Sequence, residues 1–124
     1  MDPQEFSRKI YCAIADTVTF DAVAGSVEIV GSVTEFGVRN LVLVVASGVT
    51  QLRWDGVVKE PDGFFELSTV ELRWQEAGWF VAFEPWFTTN LNFTCRTLQL
   101  NGVSVEGSGA WYQDSFDGPL PAAD

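Results

Sequence analysis

Hydrophobic and polar positions change period once along this chain. Phe6, Ile10, Ala13 and Ile14 recur at three- and four-residue spacing, the period of a helix with one apolar stripe. Ahead of them, Asp2 suits an N-cap, Pro3 a first helical residue and Glu5 the carboxylate of a capping box. The pattern predicts a helix of about three turns ending near Ala15, which packs its stripe across a sheet face or plugs the end of a barrel.

From Thr17 the period becomes two. Residues 17–24 read as a strand, Gly25 interrupts, and over residues 26–36 Val27, Ile29 and Val33 alternate with Glu28, Ser32 and Thr34, one face inward and one wet. Gly37 ends that strand. The next run, 38–47, is apolar on both sides over 41–46, as expected of a central strand covered on both faces, with the helix as one cover.

Residues 49–75 write two strand-like runs around Pro61-Asp62-Gly63, where proline pre-sets φ and glycine accepts a positive one. Read as a hairpin with Glu60 opposite Phe64, the register places Val57 against Leu67, Trp54 against Val70, Leu52 against Leu72 and Arg53 against Glu71. The apolar phase slips on both runs at facing positions, near Gly56 and near Ser68-Thr69, which predicts that the two strands bend together at a bulge or glycine kink. Trp54 and Trp74 share the inward phase with Leu52 and Leu72.

Glu76-Ala77-Gly78 then turns the chain into an aromatic strand over 79–87, which Pro85 ends or confines to an edge. Thr88-Thr89-Asn90 makes the next turn, and 91–100 leads to Asn101-Gly102, the strongest short-range hairpin signal in the sequence. A two-residue loop there sets Leu100 against Val103 and Leu98 against Val105, four apolar side chains on one face. The expected fold class is α+β: one N-terminal helix packed on a curved antiparallel β-meander of seven or eight strands, curled into a half-barrel or a closed barrel. Residues 1–112 form the single β-rich domain. Residues 113–124, acidic and proline-containing, read as a mobile tail.

Charge changes this picture more than size does. Seventeen acidic residues face seven basic ones, a net charge of −10. Such a field repels nucleic acid and anionic membrane and speeds encounter with a basic partner. The plainer reading of the same surplus is solubility. The longest apolar run is too short to cross a bilayer as a helix. With no segment that reads as a secretory signal, the expected location is the cytoplasm, and Cys12 and Cys95 are expected to be two buried thiols in a reducing compartment.

The chain has no histidine, which removes the Ser-His-acid and Cys-His pairs and the commonest metal ligand together. Two separated cysteines do not make a structural zinc site, and Gly107-Ser108-Gly109 is followed by Trp111 rather than by a helix start. No catalytic residue, metal ligand or cofactor is therefore assigned. Glu84, set among Phe83, Pro85, Trp86 and Phe87, is the one acid whose burial would raise its pKa toward general-acid use; an exposed carboxylate at a strand end is the plainer reading.

Five tryptophans exceed what a small core needs. Trp79, Trp86 and Trp111 lie near strand ends or turns, where an exposed aromatic platform would form. The sequence therefore suggests a small acidic, non-catalytic interaction protein of the immunity or inhibitor kind. Its contact with a basic protein would combine Asp55, Asp62, Glu76 and Glu84 with Trp79 and Trp86. The alternative is a β-barrel that binds a carbohydrate or small apolar ligand, with Trp86 and Trp111 stacking on it and Glu84 as the polar contact.

Overall fold

The computed structural model describes residues 1–55, 65–67, 69–76, 78–83, 90–107, 110–114 and 118–119. One short helix, α1 (Pro3–Ile10), precedes β1 (Ile14–Asp21), β2 (Ser26–Glu35), β3 (Val38–Ser47), β4 (Thr50–Asp55), β5 (Phe65–Glu66), β6 (Thr69–Gln75), β7 (Gly78–Phe83), β8 (Asn90–Cys95), β9 (Thr97–Leu100), β10 (Val103–Ser104), β11 (Ala110–Asp114) and β12 (Gly118–Pro119). Among the described residues every strand pairing is antiparallel. Two open sheets form, in the orders β10-β9-β3-β2-β1-β5 and β12-β11-β6-β7-β8-β4, where the sequence suggested one curled sheet of seven or eight strands. Neither sheet closes on itself, so a closed barrel is not what forms.

The helix starts as its sequence dictates. The Asp2 carboxylate accepts the Glu5 N–H at 2.8 Å, Pro3 follows the cap, and Glu5 pairs with Lys9 one turn on at 3.2 Å. It ends five residues earlier than the apolar spacing suggested. Tyr11 is extended, Cys12 is left-handed at φ +63°, and the next residues obey a strand period: Ala13 and Ala15 are buried while Ile14 points out. The pairing of Ile14 with both Ser32 and Glu66 satisfies backbone groups that a longer helix would have taken. Phe6 and Ile10 are fully buried, and α1 lies against β6 and β11 instead of covering the outer face of β3. That face is therefore open. Within 41–46, Val42, Val44 and Ala46 point inward, Leu41 is 70% exposed, and Leu43 and Val45 are half-buried.

The 49–75 hairpin does not form. β4 pairs with β8, setting Arg53 against Asn92, Trp54 against Leu91 and Asp55 against Asn90. β6 instead lies between β7 and β11. There Val70 faces Phe83, Leu72 faces Val81 and Trp74 faces Trp79, a ladder closed through Gln75 and Gly78. A closure that short costs little chain entropy and gives β6 an apolar neighbour at each inward position. Glu71 accordingly accepts from Arg73 at 3.1 Å rather than meeting Arg53, and Trp54 is 39% exposed. The Pro61-Asp62-Gly63 turn lies outside the described residues.

A paired bend does exist, at another place. β3 continues into β4 through Gly48, β8 continues into β9 through Arg96, and the two paths run side by side from one sheet to the other. Gly48 is left-handed at φ +66°, and a Cβ there would lie 2.9 Å from the Arg96 side chain, so the bend needs glycine. The Arg96 N–H donates to the Ser47 carbonyl at 2.9 Å and holds the corner. Both sheets contribute to one core, which includes Val27, Ile29, Val44, Leu72, Val81, Phe83, Phe93 and Leu98. Trp74 packs against it from the side, edge-on to Trp79 at 5.3 Å between ring centres. The segment read as a tail begins inside β11, whose Gln113 and Asp114 pair with Pro119 and Gly118.

Candidate interaction surface

The β2–β3 ladder is longer than its neighbours. β1 reaches it at Ile14, opposite Ser32, and β9 pairs only with 44–47, so residues 33–40 stand beyond both flanking strands. Residues 34–41 are all exposed. At the tip, Glu35 faces Val38 across a two-residue loop in which Phe36 has φ +50° and Gly37 φ +78°, the doubly left-handed geometry of a type I′ turn. That turn prefers asparagine at its first central position, because a bulky side chain is strained there. Phe36 takes the position all the same, with its ring fully exposed.

Below the tip the outer face of the first sheet carries a stripe of apolar side chains. Ile14 and Leu41 flank Ser32 in one row; in the next, Thr17 and Leu43 flank Val30. Ile14, Val30 and Leu41 are 40, 37 and 70% exposed, large values for aliphatic residues in the middle of a sheet. A bulge makes Asp16 an extra residue between Ala15 and Thr17, and its carboxylate meets Arg39 at 3.2 Å beside the stripe. Gly31 permits that bulge, since a Cβ there would come within 2.3 Å of the Ile14 carbonyl oxygen. On the other side of the arm, Asn101 covers the free edge of β3. Its N–H donates to the Leu43 carbonyl, its Oδ1 accepts the Leu43 N–H, both at 2.8 Å, and its Nδ2 donates to the Leu41 carbonyl at 3.3 Å.

The residues singled out in the sequence do not gather here. Trp79 is 1% exposed, packed inward opposite Cys95, because the strand phase that buries Val81 and Phe83 buries it too. It offers no surface ring. Glu76 is exposed in the β6–β7 turn, Asp55 ends β4 opposite Asn90, and Trp111 lies in β11 opposite Leu72. Asp62, Glu84 and Trp86 lie outside the described residues. Phe36 and Leu41 were missed. The signal for Phe36 was an aromatic-glycine pair between two alternating runs, at a spacing where Asn-Gly would have been read as a turn at once.

Both cysteines are free. Cys12 is exposed, correcting the expectation of two buried thiols; burial of Cys95 pushes its thiol up to about 12 and leaves it protonated and unreactive near neutrality. Among the described residues no three acids or cysteines are grouped to hold a metal ion, and no helix is long and apolar enough to cross a membrane. Compared with protein families, with curated proteins and with solved structures, the chain matches none.

Proposed function

We propose that this protein is a non-catalytic interaction module that docks on a basic protein partner through the β2–β3 arm and the apolar stripe beneath it, in the manner of small immunity or inhibitor proteins. The observation that carries this reading is Phe36: a large aromatic, wholly exposed, in a left-handed turn position that folding alone would give to asparagine. Exposed aromatics of this kind are what interfaces bury as anchors. Charge selects the partner. At net −10, a second copy of the chain would be repelled, whereas a positively charged surface with an apolar pocket would be drawn in and would bury both Phe36 and Leu41.

The test is retention of a protein from an extract of the source cells on immobilised wild type and on Phe36→Asn, at ~0.05 M and ~0.5 M salt. The expected result is one basic protein held by the wild type, held less as salt rises, and weakened ~30-fold or more by the substitution, as for loss of a buried aromatic anchor. Equal retention by the variant, retention of an acidic protein only, or retention of nothing would each contradict the reading.

A further inference from the structure

A concave feature lies at the other end of β3 from the arm, at the corner where β3–β4 and β8–β9 bend together. The β6–β7 turn stands beside that bend and the two enclose a groove of about 570 Å³, within the range of small-molecule sites. Its polar lining is contributed by Thr50, Gln51, Gln75, Glu76, Thr94 and Arg96. Two glycines make the walls possible: Gly48 lies under the Arg96 stem, and a Cβ on Gly78 would lie 2.8 Å from the Cys95 carbonyl oxygen.

The lining carries one cation and one anion that do not neutralise each other. Among the described residues Arg96 and Glu76 form no ion pair, with each other or with another side chain, and Gln51 and Gln75 donate and accept no side-chain hydrogen bond. The two threonines are different. Thr94 donates its hydroxyl proton to the Thr50 carbonyl at 3.0 Å, so in the 2.5 Å contact between the two hydroxyls Thr50 donates, and what remains of both is acceptor capacity. Backbone strain collects at the same place: Gln51 and Glu76 are left-handed at φ +56° and +50°, holding an amide and a carboxylate at the groove.

We infer that this groove binds a small zwitterion, a short peptide with free termini, its carboxylate on Arg96 and its ammonium on Glu76 and the threonine oxygens. Each other ligand class leaves something unmatched. A simple anion meets Glu76 and the field of a −10 protein, a simple cation meets Arg96, and a neutral sugar engages neither charge. The guanidinium is suited to two parallel bonds with a carboxylate, and the amides of Gln51 and Gln75 line the same groove for the peptide groups. Phe36 plays no part in it.

The test is calorimetric titration of the full chain with trialanine and with its N-acetylated and C-amidated forms, up to ~10 mM. Trialanine is expected to bind saturably, and either blocking group to weaken it at least tenfold. In Arg96→Gln, which keeps part of the stem that covers Gly48, trialanine should weaken by the same factor and amidation should then cost nothing more; in Glu76→Gln the same holds for acetylation. Phe36→Asn should bind trialanine as the wild type does. No saturable binding of trialanine, equal binding of the blocked forms, or an amidation effect that persists undiminished in Arg96→Gln would overturn the inference.

Discussion

Two hairpin tips in this molecule share one backbone conformation and carry very different side chains on it. Phe36-Gly37 and Asn101-Gly102 are both two-residue loops with two left-handed residues, at φ +50° and +78° in one and +50° and +83° in the other. At the second tip the asparagine suits the conformation and also works for the fold, tying Leu41 and Leu43 of the neighbouring strand. At the first, the side chain is the wrong one for the turn and touches nothing. When local chemistry, turn geometry and tertiary contact agree, as at Asn101, the residue is explained by folding. Where they disagree, as at Phe36, folding does not explain the residue, and that disagreement is what the proposed docking role rests on.

The contrast can be broken from either side. The largest effect is expected on binding, where Phe36→Asn should cost the partner contact ~30-fold or more while Asn101→Ala, at the other tip, should leave affinity unchanged once the folded fraction is allowed for. Next comes stability. Asn101→Phe should lose about 2–3 kcal/mol in urea unfolding, since it removes both side-chain hydrogen bonds to β3 and strains the turn; a loss under about 0.5 kcal/mol would mean that Asn101 does not hold the arm.

A smaller effect reports whether the core stays shut in these variants. Iodoacetamide near pH 8 should label Cys12 and spare Cys95 in the wild type and in Phe36→Asn alike, as the buried thiol stays protonated. The sign of the linked pH dependence follows. The unfolded thiol ionises at its ordinary 9.0 while the folded one waits until about 12, so this group's contribution is intact below pH 9 and is lost progressively as pH rises from 9 toward 12. Labelling of Cys95 at the rate of Cys12 would contradict the burial.

Features set by adjacent residues were legible in the sequence. Asp2, Pro3 and Glu5 specify the helix start by capping chemistry, and Asn101-Gly102 specifies a turn that sets Leu100 against Val103. Three of the four apolar residues around that turn are buried as expected, though Val103 is half exposed. What the chain pairs with at a distance was not legible. The run from Thr50 to Asp55 alternates as well against Asn90–Cys95 as against Thr69–Gln75, and turn chemistry at Pro61-Asp62-Gly63 does not decide between partners that both have the right period. Trp79 sits beside a turn, yet its strand phase, shared with Val81 and Phe83, decides its burial. The outer stripe was hidden because an apolar run such as 41–46 reads the same whether its second face is covered or left for a partner.

The most direct measurement is the urea unfolding free energy of Phe36→Asn against the wild type. If the aromatic ring is there for a partner, relief of the left-handed strain should raise stability by about 1 kcal/mol, with no change in the denaturant slope. A fall of about 1 kcal/mol or more would show the ring holding the fold together, and the reading of the arm as a docking element would fail with it.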